Sequence, residues 1–297
     1  MSTTNVFTTA GSDPNVGGVY PQQWATKLQE RLDKPRNWKE VCNVVYSNVK
    51  YFNMPYMSSE SSIQTGTRGT AYGYAEFTLL NDQLDIATVR VVPIFIDRAD
   101  LAQCTLVSVM ELASRQADII NEDLEAKVLA NYGNWTDFGT SDIGGGGAST
   151  DAITVSASNI DDIIRGLKRV IGVANGQALA DRNGLFIVWR YADLELLEQF
   201  AQANGFTLAD KALKNGIKTG YHFMGVDHYV SNSHTATHVF AGVKKIQQLG
   251  ILSSTWGQIT QVQDPAKTSG IGVIARVDYG LNVPTAHAAL VYDVNVS

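Results

Sequence analysis

From about Asp100 to Asn131, the apolar residues Leu106, Met110, Ala113, Ala117, Ile120, Leu124 and Val128 recur at intervals of three and four. That spacing lines one face of a helix, because 3.6 residues complete a turn. Asp97 or Asp100 can cap its start, and Gly133 stands just past its end. At 1.5 Å per residue, the 32 positions predict a rod of roughly 48 Å, about three times the usual helix length. A compact globular enzyme of ordinary size rarely needs such a beam, so the remaining elements are expected to be arranged along it.

With 297 residues the chain has room for one large domain or two ordinary ones. A hydrophobic content of 44% is too high for a disordered chain. No run approaches the roughly 18 apolar residues that span a bilayer, so no membrane partner is expected. Charged residues make up 18%, against about 25% in an ordinary soluble domain. Either neutral polar groups dominate the surface or other subunits cover much of it. A net charge of −6 and a pI near 5.4 argue against a dedicated nucleic-acid binder, which presents a basic face to phosphates. Cys42 and Cys104 form neither a metal spacing nor a disulfide framework, so reduced thiols are expected. The first residues lack a basic stretch followed by an apolar core, so no secretory signal is expected.

Residues 1 to about 20 are small and polar and read as an extended arm. From Pro21 to Lys34, Trp24, Leu28 and Leu32 recur every four residues, which predicts an amphipathic helix ended by Pro35. A short apolar stretch from Trp38 to Phe52 precedes the polar run Ser58 to Ser62. The block Thr65 to Ile96 alternates at a period of two, with Asn81-Asp82-Gln83 as the expected turn and Leu84 to Ile96 as the returning strand. Such a hairpin is marginal alone in water and must lean on the body or on another chain. Helices are predicted over Asn159 to Ala174 and Ala192 to Asn204, flanking a buried strand at Leu185 to Trp189. From Tyr221 onward strands dominate: Val239 to Ile246, Gly257 to Val262, and a closing pair at Gly270 to Asp278 and Ala286 to Val294.

Motifs for chemistry are weak throughout. Gly144 to Gly147 lacks the Gly-Lys-Ser/Thr that a phosphate loop requires and reads as a flexible connector. His234 and His238 lie four apart without the intervening glutamate of a zinc protease, and with His222 and His228 they make at most a loose four-histidine cluster. Asp161-Asp162 and Glu122-Asp123 sit beside Arg165 and Lys127 at helical spacing, which fits solvated ion pairs better than acid–base catalysis. No nucleophile elbow is present, so no catalytic residue, cofactor or metal site is assigned.

The order of these elements resembles the major capsid protein of tailed double-stranded DNA bacteriophages, the Hong Kong 97-type fold. The run Val92-Pro93-Ile94-Phe95-Ile96-Asp97-Arg98-Ala99-Asp100-Leu101, leading into Asn121-Glu122-Asp123-Leu124-Glu125-Ala126-Lys127-Val128-Leu129 and closed by Asn131-Tyr132-Gly133, looks like the passage from extended loop into spine helix. Gly184 to Trp189 with Asp193-Leu194 and Gly205-Phe206 is similar to the strand and helix of the axial domain, and Gly272 to Gly280 with Pro284, Ala286 and Leu290 to the last peripheral strands. The resemblance implies an α+β fold. It assigns residues 1–55 to an N-terminal arm and short helix, 56–96 to an extended loop, and 97–155 to a peripheral domain with the spine helix. Residues 156–238 would form an axial domain, and 239–297 the return strands of both.

The same resemblance implies a non-enzymatic virion protein. It would assemble in the host cytoplasm into an icosahedral shell of hexamers and pentamers around double-stranded DNA, without sequence-specific binding. Portal and scaffold proteins, and decoration proteins where present, would be its partners. Arg68, Tyr72 and Tyr74 are the expected intersubunit contacts of the extended loop, since arginine and aromatic side chains are enriched at interface cores. The chain departs from the pattern in having no long charged amino-terminal scaffold segment and no matched cross-linking pair. Two other readings stand beside it: an encapsulin-like nanocompartment shell, and an α/β enzyme with a histidine-lined metal site.

Overall fold

The long helix forms over Leu106–Leu129. The structure, a computed structural model, describes residues 19–33, 36–57, 68–69, 79–97, 106–204, 220–235, 237–262 and 270–297. Chain order gives helices α1 (Val19–Leu32), α2 (Asn37–Val41), α3 (Leu106–Leu129), α4 (Ile160–Val173), α5 (Gln177–Asn183) and α6 (Tyr191–Ala203). The predicted phase of α3 holds: Ala113, Ala117, Ile120, Leu124 and Val128 are all buried. Residues 100–105, with the expected capping position at Asp100, lie outside the described residues. Gly133 falls inside a 3-10 turn, Asn131–Asn134, beyond the helix end.

Helix α1 lies along α3 and buries Trp24, Leu28 and Leu32, the three positions its spacing of four picks out. Its end is tied down electrostatically. Arg31 and Arg36 both reach the carboxylate of Asp118 on α3, at 3.0 and 2.7 Å.

Two larger sheets share one core. In the first, β1 (Asn43–Ser47), β10 (Gln248–Leu252), β12 (Gly270–Asn282) and β11 (Ile259–Val262) follow that order, and β4 (Thr88–Asp97) pairs with the other edge of β12. The second runs β5 (Thr136–Phe138), β13 (Val291–Asn295), β9 (His238–Val243), β6 (Leu185–Trp189), β8 (Val226–Val230), β7 (Gly220–Phe223). Strand β6 is the apolar run expected at its bounds. It lies between β8 and β9, with Phe186 to Trp189 buried. Helix α4 covers this region with Ile160, Ile163, Ile164, Leu167 and Ile171.

Two buried glutamines stitch these layers. The Gln116 side chain on α3 accepts from Trp24 Nε1 at 2.9 Å and donates to the carbonyls of Val92 on β4 and Val273 on β12, at 2.9 and 3.1 Å. Gln247 accepts from Trp135 Nε1 at 2.6 Å and donates to the Val128 carbonyl at 3.4 Å, joining the far end of α3 to the strand entering β10.

Three expectations need correction. Asn81-Asp82-Gln83 do not turn. They lie inside β3 (Leu79–Asp85), whose antiparallel partner is the upstream strand β2 (Tyr51–Met57). The run after Asp85 therefore belongs to the body as β4, drawn there by ten paired positions on β12. The closing segments do not pair with each other either. Gly270 to Asp278 sits within β12 of the first sheet, whereas Ala286 to Leu290 lies in a 3-10 turn and only Val291 onward is strand, in the second sheet. Asp123 pairs with Arg90 at 3.1 Å instead of with Lys127, because β4 runs beside α3. Helix α5 escapes periodicity because it is a short turn of helix that buries no residue fully and rests on the core only through Leu179 and Ala180.

Gln116→Leu is expected to lower the stability of the dissociated subunit by about 1–3 kcal/mol, because it leaves the buried Trp24 N–H without an acceptor. The midpoint of urea unfolding measures it.

Candidate functional site

Strands β2 and β3 form a two-stranded sheet of their own, in register from Tyr51↔Asp85 to Met57↔Leu79 and joined by ladder hydrogen bonds to neither larger sheet. Its base is closed by the Ile86 amide donating to the Lys50 carbonyl at 2.8 Å. Leu84 and Ile86 are fully buried, so the root is part of the core.

The root sits on a pair of glycines. Gly250 on β10 and Gly280 on β12 face each other across the ladder. A Cβ on Gly280 would stand 1.9 Å from the Asp85 carbonyl oxygen, and one on Gly250 would meet Leu84 Cδ2 at 2.7 Å. The two missing side chains open the only depth into which the crossing backbone of Asp85 and Ile86 fits. Away from the root, polarity inverts. Tyr51 is 62% exposed and Leu79 66%, and Phe52 and Leu80 also face solvent. Tyr46 and Val49, just upstream, extend this apolar surface, with Tyr46 edge-on to Trp256 at 5.7 Å. Pro55 in β2 removes one backbone donor from the hairpin, which blunts indiscriminate strand addition.

Of the predicted contact residues, Arg68 lies exposed in a tight turn with Gly69 at φ +90°. Tyr72 and Tyr74 lie outside the described residues. The exposed apolar group Tyr51, Phe52, Leu79 and Leu80 was not singled out by sequence reasoning. The alternation over Thr65 to Ile96 spans β3 but not β2, and only the pairing shows that, among the described residues, neither strand joins a larger sheet.

The other motifs resolve into structural roles. The glycine tract is no slack connector. Asp151 Oδ2 accepts from the Ala148 amide at 2.7 Å, Gly145 N–H donates to the Thr140 carbonyl at 2.9 Å, and Arg169 from α4 holds the Asp142 carbonyl at 2.8 Å. A side chain of the loop itself thus occupies an amide that an anion would need. Arg165 binds both Asp161 and Asp162 at 2.6 Å, the expected helical ion pairs. Cys42 is a buried free thiol whose pKa burial pushes up to about 12, which leaves it unreactive; Cys104 lies outside the described residues.

The histidines do not converge, and among the described residues no group of three or more His, Cys, Asp or Glu could hold a metal. His222 is exposed and pairs with Asp227 at 2.7 Å. His238 stacks on Tyr132 at 3.8 Å and reaches Asp293 at 2.6 Å. His228 is fully buried: Nδ1 accepts from Trp189 Nε1 at 2.8 Å and Nε2–H donates to the Phe223 carbonyl at 3.1 Å, a pair of bonds that only the neutral ring can make. Burial depresses its pKa to about 4. His234 is likewise pushed down to about 4 by burial, and neither ring nitrogen makes a well-formed hydrogen bond. A cleft of about 760 Å³ between α1, α2, α3 and the turn after β8 mixes Arg31 and Arg36 with Glu40, Glu122 and Glu125. Burial raises the pKa of Glu125, opposed by its hydrogen bond with Ser231.

No family model matches the sequence, and no curated protein matches it. Solved structures do. The capsid of a native GTA particle aligns with a TM-score of 0.61 and 14% identity, over 89% of this chain and 92% of that one. A chain from Gordonia phage Cozz gives 0.59 and 13%, over 97% and 96%. A virus-like particle from Pyrococcus furiosus gives 0.57 and 9%, over 93% of this chain and all of that one. At these identities the likeness speaks for architecture: the chain has the Hong Kong 97-type capsid fold expected from its order of elements.

Two outcomes follow from the geometry. Gly280→Ala should displace the hairpin root and cost about 3 kcal/mol, whereas Gly250→Ala, which meets flexible side-chain tips, should cost about 1 kcal/mol; thermal unfolding of the two variants separates them. Because the folded pKa values of His228 and His234 lie below the ordinary 6.5, the unfolded chain takes up protons first. Their contribution is complete above about pH 6.5 and is lost as pH falls toward 4, at up to about 1.4 kcal/mol per pH unit for each ring. Urea titrations from pH 7.5 to 4.5 should show this slope, and His228→Gln should reduce it.

Proposed function

We propose that this chain is a structural virion protein whose copies assemble into an icosahedral phage head enclosing double-stranded DNA. The carrying observation is the fold itself, matched along nearly the whole chain, combined with a hairpin whose outer surface is apolar and covered by none of the described residues. A hairpin of this kind completes its burial on an adjacent copy, and heterologous contacts close into a shell when their rotations add up to a point group. The low charge density fits a subunit with several covered sides. A net charge of −6 suits a wall that confines a polyanion without gripping it.

In this reading Arg68, Tyr72 and Tyr74 contact the neighbouring subunit from the extended loop, with Tyr51, Phe52, Leu79 and Leu80 nearer the root. Hexamers and pentamers of the chain form the shell in the host cytoplasm. Portal, scaffold and decoration proteins are its partners, and DNA is held without sequence recognition. The role is structural and not catalytic. Among the described residues no helix is long and apolar enough to cross a membrane.

The likeness to a virus-like particle from Pyrococcus furiosus supports a second reading, a nanocompartment shell with protein cargo. Neighbouring genes separate the two: terminase and portal for a phage head, a cargo enzyme for a compartment.

Sedimentation and negative-stain microscopy of the purified protein should show shells or capsomers; a stable monomer at high concentration refutes the proposal. Deleting Gly66 to Gly73 should leave a folded subunit that no longer closes shells.

A further inference from the structure

Two of the residues in β3 make three hydrogen bonds that strand pairing does not require. Asp82 Oδ2 accepts from the Thr285 amide at 2.7 Å and Asp82 Oδ1 from the Thr285 hydroxyl at 2.9 Å, while the carbonyl of Gln83 accepts from Asn282 Nδ2 at 3.3 Å. These bonds join the hairpin to the segment leaving β12, on the body of the subunit. Since β2 and β3 share no ladder with either larger sheet, the hairpin, among the described residues, meets the body at two places. One is the glycine seat under Asp85 and Ile86. The other is Asp82, three residues further along the strand, about 10 Å away at strand rise.

Two attachment points define a direction, whereas one defines only a pivot. With the seat alone, the hairpin could swing about Gly280; the carboxylate of Asp82, gripping a backbone N–H and a hydroxyl of one residue, removes that freedom. The lever is long. Leu79 lies about 20 Å from the root, so a swing of about 10° moves it by about 3–4 Å, enough to break register with a neighbouring copy.

We infer that Asp82 and Thr285 form a clamp that fixes the angle at which the hairpin leaves the subunit, and that this angle sets the curvature of the assembled shell. The second half rests on the capsid reading proposed above. The clamp is a positioning device. It contributes little to the core, because its partners lie at the surface while Leu84 and Ile86 hold the root in place. Closure of a shell is sensitive to it because each rotation between neighbours is repeated around every ring.

The experiment compares wild type, Asp82→Ala, Thr285→Val and the double variant. Each is followed by thermal unfolding of the dissociated subunit, by amide exchange at Thr285, and by the diameter distribution of particles in negative stain. Thr285→Val keeps the backbone N–H and removes only the hydroxyl, so it tests the clamp even if Asp82→Ala folds poorly. Expected are unfolding temperatures close to wild type, Thr285 amide exchange faster by about tenfold in Asp82→Ala, and mixed diameters, open sheets or tubes in place of uniform shells. The double variant should be no worse than Asp82→Ala, since both changes open one contact. Variants that close shells of wild-type diameter overturn the inference. If wild type itself forms no particles, the capsid reading fails. The clamp is then decided by amide exchange, and an unchanged rate at Thr285 overturns it.

Discussion

The side chain of Gln116 holds a position on which the rest of the subunit depends. Buried in the middle of α3, it takes one hydrogen bond from α1 and gives two to adjacent strands of the first sheet. An unpaired carboxamide in that place would be costly, so the helix, its covering helix and the β4–β12 pair must form together or not at all. An all-apolar contact would tolerate sliding of α3 along the sheet. The directed bonds of Gln116, and of Gln247 near the helix's other end, fix the register of a rod that otherwise offers a uniform stripe of small and branched residues.

From that frame the hairpin is carried outward. Its root belongs to the core, through Leu84 and Ile86, while its outer part presents aromatic and aliphatic groups that no element of the described chain covers. Gly250 and Gly280 reconcile these two demands by letting one backbone cross another closely at the point where the hairpin emerges. The contrast between a buried root and an arm that no described residue covers fits the shell role proposed above, because contact between copies is useful only when each copy offers it in the same orientation.

Charge plays a local part. Asp118 gathers two arginines where α1 and α2 meet α3, and the buried carboxylates Asp193 and Asp278 are each held by a neighbouring arginine, Arg190 and Arg276. The histidines that a motif search would gather into a metal site are dispersed among a solvent-facing hydrogen bond, a ring stack, a hydrogen-bonded core position and an enclosed turn. Their separation is a consequence of strand pairing: His228 on β8 points into the core beneath β6, whereas His222, paired to Asp227 on the antiparallel neighbour, faces out.

Local periodicity alone determined the helices α1, α3, α4 and α6, the buried strand β6, and the overall α+β order that resembles a capsid subunit. These are properties of residues three, four or two positions apart, and the sequence displays them directly. It also showed Asp161, Asp162 and Arg165 as a helical ion pair. The tertiary structure decided which strands meet. Asn43 pairs with Gln248, and Tyr51 with Asp85, across separations at which no repeat in the sequence carries information. The centre of the hairpin was misplaced by about fourteen residues for that reason: alternation marks a strand but does not name its partner. The seat of Gly250 and Gly280 and the grip of Asp82 on Thr285 were hidden for the same reason, since each is formed by residues whose proximity exists only after the sheets have closed on one core.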